Sequence, residues 1–137
     1  MNLRAWTDGA SRGNPGDAGI GVIVKNDDGT VVLEERRYLG KTTNNQAEYT
    51  ALIVCLESII RENATLQCTS LAVFADSELM VKQLKGEYKV KDEGLKTHFA
   101  RVKELLRTAG FAFTIAHVPR AQNKEADKLA NEGIDFR

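Results

Sequence analysis

Three consecutive strand patterns followed by alternating helix and strand predict an α/β fold. It is a five-stranded mixed sheet with helices on both faces. Three observations carry this prediction. Apolar and β-branched runs bounded by Gly, Pro and Asp turn signals fill the chain up to about residue 39. Apolar residues at helical spacing follow Thr43, and two strand-then-helix units come after them. The predicted order is βββ-α-β-α-α-β-α.

Each element has its own signal. Residues 2–8 read as a strand running into Asp8, and Gly13-Asn14-Pro15-Gly16 as a turn. Residues 18–25, rich in Ile and Val, form the second strand, and Asp27-Asp28-Gly29 marks a tight hairpin. Residues 30–39 form the third. Thr43 with Gln46 three positions later is a capping-box pattern, opening a helix to about residue 62 with Ala47, Ala51, Val54 and Ile59 on one stripe. Residues 70–75 form a fourth strand ending at Asp76. A short helix from Ser77 to Lys85 is stopped by Gly86. Asp92 caps a helix over 92–109 and Gly110 stops it. A fifth strand over 111–117, a turn through Pro119 and a last helix from Asn123 to Glu132 complete the chain.

Length and composition bound the function. The chain has 137 residues, one domain's worth, with 42% hydrophobic and 28% charged residues, so a packed globular core is expected over residues 1–137. Lys plus Arg equals Asp plus Glu, 19 each, which disfavours holding nucleic acid by bulk charge while leaving room for a local basic patch. Cys55 and Cys68 fit neither a disulfide framework nor a zinc pattern, and read as buried apolar residues in a reducing compartment. No apolar run approaches the ~18 residues of a membrane span, and the N-terminus lacks a signal-peptide core. A cytoplasmic protein without a membrane partner is expected.

Four carboxylates stand where α/β sheets form ligand sites, at strand ends and helix starts. Asp8 and Asp76 end strands; Glu48 and Asp127 lie in the first turns of helices. Any one alone reads as a turn, cap or dipole residue. Their neighbourhoods point further. Gly9-Ala10-Ser11, Thr42-Thr43-Asn44-Asn45-Gln46 and Asn123 surround them with small and amide residues suited to a polar ligand.

These segments together resemble the type 1 ribonuclease H family. Thr7-Asp8-Gly9 with Gly13-Asn14-Pro15-Gly16, then Thr42 to Glu48, then Ala75-Asp76-Ser77, then His117 through Asn123 to Asp127-Lys128-Leu129-Ala130, follow the family's motifs in order over nearly the whole chain. The resemblance implies a ribonuclease H-like fold and an endonuclease that cuts the RNA strand of RNA–DNA hybrids. It implies Asp8, Glu48, Asp76 and Asp127 as ligands of two Mg²⁺ ions, with Mn²⁺ able to substitute. That suits the chemistry, since two hard cations ~4 Å apart serve both ends of an in-line phosphoryl displacement. Crowded acids also repel one another, so a raised pKa is expected on at least one.

The resemblance further implies that His117 assists water activation or product release, roles that suit a proton-shuttling imidazole. Its parity with Phe111, Phe113 and Ile115 equally fits a residue capping a buried face. His98 is expected on a helix surface and Trp6 in the core. Gly9, Asn14, Thr43, Asn44, Asn45 and Gln46 fall at the family's substrate-binding positions, where amides read 2′-hydroxyls. Thr43 serves equally as a helix cap beside a phosphate, and the Asn residues equally as turn residues.

Two departures stand out. Glu78 replaces an amide, and cannot donate to a 2′-hydroxyl. The basic, Trp-rich protrusion of some bacterial members is reduced to Lys85-Gly86-Glu87-Tyr88-Lys89-Val90-Lys91, a modest patch with Tyr88 for stacking. A monomer with no separate hybrid-binding domain before residue 1 is expected. The alternatives are a catalytically weak hybrid-binding module, or a nuclease of this fold that also acts on double-stranded RNA.

Overall fold

The computed structural model describes residues 1–137. Strands β1 (Asn2–Gly13), β2 (Gly16–Lys25) and β3 (Val31–Thr42) form the expected meander. Helices α1 (Asn44–Arg61) and α2 (Asn63–Leu66) lead to β4 (Ser70–Ala75). Helices α3 (Glu78–Leu84) and α4 (Glu93–Thr108), strand β5 (Ala112–His117), a 3-10 turn over Arg120–Gln122 and α5 (Lys124–Asp135) follow. The sheet has five strands in the order β3-β2-β1-β4-β5. β1 pairs antiparallel with β2 and parallel with β4, so the sheet is mixed as predicted.

Alternation along the strands sorts the two faces. Leu3 and Ala5 of β1, and Ile20, Val22 and Val24 of β2, join Tyr49, Leu52, Leu56 and Ile59 of α1 in a single buried cluster. Helix α4 packs outside α1 and adds Leu95, Val102 and Leu105. The opposite face is covered by α5 alone, which lies against β2, β1 and β3. Cys55 and Cys68 are free and buried, as expected.

Several boundaries differ from the sequence reading. β1 runs to Gly13, past Asp8, because its ladder with β2 continues to Gly13↔Gly16. Its parallel ladder with β4 stops at Thr7↔Ala75. Asp8 is therefore the first β1 residue beyond the end of β4. β3 likewise extends to Thr42, and α5 to Asp135. Thr43 caps α1 by accepting from the Gln46 N–H at 3.2 Å. The reciprocal half of the capping box is missing, since Gln46 Oε1 instead accepts from the Thr42 hydroxyl at 2.7 Å. Trp6 is only half-buried; it stacks on Phe74 with centroids 5.4 Å apart, under the Lys25 ammonium. His98 is half-buried too, with Nδ1 2.8 Å from the Gly94 carbonyl and its ring edge toward Tyr49. No helix is long and apolar enough to cross a membrane.

Candidate functional site

The end of β4 opens a step in the sheet, and three carboxylates meet there. Asp8 comes from β1, Glu48 from the first turns of α1, and Asp76 from the residue after β4. One oxygen of each lies within 4.8 Å of the others. Asp8 is 4% exposed and Glu48 9%, so both charges are largely withdrawn from water. No lysine or arginine forms an ion pair with any of the three.

Two close backbone approaches create this meeting. Gly9 faces α1, where an added Cβ would stand 2.3 Å from the Ala47 carbonyl carbon. The helix start can therefore sit directly on β1. The Gly9 N–H, which has no β4 partner, donates to Glu48 Oε1 at 2.8 Å. On the other face, Gly21 is the register partner of Asp8, and a Cβ there would meet the Ala126 carbonyl oxygen at 2.2 Å. This contact brings the first turn of α5 onto the sheet, with Asp127 beside Asp8. Buried Asn123, the residue before α5, donates from Nδ2 to the Thr7 carbonyl at 2.9 Å and ties the two elements together.

Electrostatics follow from burial and crowding. The Asp8 carboxyl is pushed up to about 10, first by burial, then by the charges of Glu48 and Asp76 and by Asp127. Glu48 is pushed up to about 8 by burial and by Asp76, against the opposing Gly9 N–H bond. Such a set of hard oxygen donors fits a divalent cation, which would neutralise charges that the fold itself leaves unpaired.

The fourth acid is placed differently. Asp127 is half-buried at the rim, outside the tight trio, and its Oδ1 lies 3.5 Å from the Arg120 guanidinium. It lines the same open cleft of about 500 Å³ as Asp8, Gly9, Asn44, Glu48 and Asp76. Arg120, Arg12 and Asn131 line that cleft as well. Sequence reading missed these three. Lone side chains at a strand end, in a loop and late in a helix carry no periodic signal. Arg120 was nonetheless within reach, because its loop must cross the end of the sheet between β5 and α5.

His117 lies outside this cleft. It is exposed at the end of β5, where it is the register partner of Ala75. The structure thus does not bury it against the apolar face. Glu78 itself is exposed and pairs with Lys82 at 2.9 Å.

The remaining predicted residues gather beside the carboxylates. Asn14, Thr43, Asn45 and Gln46 line a second groove together with Gln83, Lys89 and Lys91. Asn14 Oδ1 accepts from the Asn44 N–H at 3.1 Å, which ties the β1–β2 turn to the start of α1. Asn14, Asn44 and Asn45 are exposed. Tyr88 is exposed beneath the Lys82 ammonium, 5.0 Å from its ring centroid.

Known proteins share this arrangement. A model of the reverse transcriptase-like family matches residues 6–133. The ribonuclease HI of Halobacterium salinarum is 44% identical over 134 residues, covering 97% of this chain and 64% of that protein. A bifunctional protein of Mycobacterium tuberculosis is 40% identical over 139 residues, 98% of this chain and 36% of its own length. The chain thus spans less than two thirds of these two relatives. Among solved structures, the ribonuclease H1 of H. salinarum superposes with a TM-score of 0.90 at 43% identity, covering all of both chains. A ribonuclease H1 solved in complex with an RNA/DNA hybrid superposes with a TM-score of 0.92 at 42% identity, covering 98% of this chain and 97% of that one. A foamy viral protease–reverse transcriptase, at 18% identity and a TM-score of 0.78, shares the fold alone. With its five-stranded mixed sheet and its step-edge carboxylates, the chain belongs to the type 1 ribonuclease H family.

Proposed function

We propose that the protein is an endonuclease that hydrolyses the RNA strand of RNA–DNA hybrids with two divalent cations, Mg²⁺ or Mn²⁺ in its place. The observation that carries this reading is the trio Asp8, Glu48 and Asp76, mutually within 4.8 Å, mostly buried and without a cationic partner. A pure binding module gains nothing from such acids, because they repel phosphate.

Asp8, Glu48 and Asp76 would hold the cations, with Asp127 completing the set from the rim. When bound, the cation pair supplies an activated water and charge stabilisation at the leaving oxygen. The chain's own residues do the rest. The Gly9 N–H fixes one Glu48 oxygen and leaves the other free to bind. Asn123 fixes the distance between β1 and α5, and so between Asp8 and Asp127. Arg120 holds Asp127 at the cleft mouth. His117, exposed at the end of the strand beside β4, would assist water activation or product release as a proton shuttle.

The second groove suits the other strand. Thr43 and the start of α1 offer donors to a phosphate, and Lys89 and Lys91 add positive charge. Asn44 in the carboxylate cleft and the exposed amides of Asn14 and Asn45 beside it, with Gln46, suit reading of the RNA strand's 2′-hydroxyls across the minor groove. With free buried cysteines and no membrane-length helix, a monomer in the reducing cytoplasm is the setting we infer.

The test is cleavage of a labelled RNA–DNA hybrid with Mg²⁺, with Mn²⁺ and with EDTA, beside double-stranded RNA and DNA. Metal-dependent cutting of the RNA strand is expected. Binding without cutting under every metal overturns the enzymatic reading.

A further inference from the structure

Arg12 sits near the end of β1, on the lip of the carboxylate cleft, and is tied to α5. One guanidinium nitrogen is 2.6 Å from Asp135 Oδ1, and the other donates to Asn131 Oδ1 at 3.2 Å. Asn131 then donates from Nδ2 to the Asp127 carbonyl at 3.0 Å, with Asp127 Oδ1 3.5 Å away. A continuous path therefore fixes the guanidinium relative to the fourth carboxylate.

Stability does not account for this arrangement. Arg12 and Asp135 are each about half-exposed, at 47% and 48%, and an ion pair this wet adds little to the fold. What the contacts do is orient. A guanidinium carries five N–H donors, and Asp135 and Asn131 engage two of them. The rest remain on a pre-set fork beside a cleft lined by Asp8, Glu48, Asp76 and Asp127. A polyanion entering that cleft meets four acids and two arginines. Arg120 is 80% exposed and reaches only Asp127, at 3.5 Å, whereas Arg12 is the lining cation held in place by two partners that are not metal ligands.

We propose that Arg12 grips a phosphate of the strand being cut, next to the one over the carboxylates, with Asn131 and Asp135 setting its reach. The inference rests on the hybrid-cleaving reading and adds a positioning contact to it. Arg12 acts through substrate registration and touches no reacting atom.

Steady-state cleavage of a labelled hybrid in Mg²⁺, from low to high KCl, tests it with Arg12→Met and Asp135→Asn. Arg12→Met should raise KM about 5–10-fold with kcat within about twofold. It should also make the slope of log KM against log salt shallower by roughly 0.7–0.9, the loss of one phosphate contact. Asp135→Asn keeps the guanidinium, so it should keep the wild-type slope with a smaller rise in KM. Equal loss of Tm in both variants with an unchanged slope would mean that Arg12 only tethers β1 to α5, and overturns the proposal. Anisotropy of a fluorescent hybrid reads the same slopes without turnover. A wild type that binds but does not cut overturns the enzymatic reading alone, and the Arg12 slope is still decided.

Discussion

Gly21 and Asp8 are register partners across the β1–β2 ladder, and the space that Gly21 leaves empty is filled by the backbone of α5 at Ala126. The fourth carboxylate therefore reaches the first because a side chain is absent. A Cβ at Gly21 would stand 2.2 Å from the Ala126 carbonyl oxygen, and backbone cannot step aside as a flexible side chain can. Gly21→Ala should cost about 1–3 kcal/mol through overpacking. It should also displace Asp127 from Asp8. Thermal unfolding should show a fall in Tm, and kcat measured well below that Tm should fall with it. A variant with native Tm and native kcat would show that α5 can shift freely.

The carboxylates themselves should be dispensable for folding and indispensable for cutting. Asp8→Asn, Glu48→Gln and Asp76→Asn each remove a ligand from a crowded trio, the first two buried and the third half-buried. Each should lower cleavage by about 10³-fold or more, the equivalent of several kcal/mol of transition-state stabilisation. Each should also raise Tm in EDTA. Near-native turnover in any of the three would remove that residue from the metal site.

Stability without metal should decline as pH rises. Asp8 is raised from an ordinary 3.8 to about 10, and Glu48 from 4.5 to about 8. Between those values the folded form keeps protons that the unfolded chain has released, so unfolding gains with pH. The contribution is whole below the unfolded pKa values and is lost as pH passes through the folded ones. Melting in EDTA should show Tm falling between about pH 5 and pH 9. Mg²⁺ favours the ionised carboxylates and should reduce the fall, and Asp8→Asn should flatten it. A level Tm in EDTA would mean that the acids are not crowded in solution.

Tyr49 donates to Gln83 Oε1 at 2.5 Å, with both side chains buried. Gln83 in turn donates to the Lys89 carbonyl at 3.5 Å, at the edge of the second groove. Tyr49→Phe leaves Gln83 Oε1 buried without a donor and should cost about 1–3 kcal/mol. The Lys89 segment loses its anchor, so KM for a hybrid should rise more than kcat falls. Denaturant melts and steady-state kinetics check the two halves separately.

Much of this was readable from the chain. The apolar runs in 18–25 and 70–75, the caps at Thr43 and Asp92, and the stop at Gly110 place the elements in the right order. The motifs picked out four acids, of which Asp8, Glu48 and Asp76 meet and Asp127 stands at the rim. What escaped has physical causes. Asp8-Gly9-Ala10-Ser11 has weak strand propensity, and it is the ladder with β2 that holds it extended. Helix α2 spans four residues, too few to show a period. Gln46 fits a capping box by spacing, but the neighbouring Thr42 hydroxyl competes for its side chain. Arg12 and Arg120 converge on the acids only through tertiary packing, which no local pattern encodes.

The unequal lengths of β1 and β4 have a mechanical consequence. Residues 4–7 of β1 lie in the interior of a five-stranded slab, hydrogen-bonded to β2 on one edge and to β4 on the other. Residues 9–13 belong to an overhang of three strands whose end, with Arg12, Gly13 and Asn14, is exposed. Asp8 stands on the boundary between the two. The exposed tip of the overhang, residues 12–14, is the part whose amides open first to exchange. Small bending there would move the Gly13–Asn14 tip, while Arg12 stays tied to α5 and the slab keeps Asp8 and Asp76 at a fixed separation. Compliance and rigidity thus fall on two stretches of one strand.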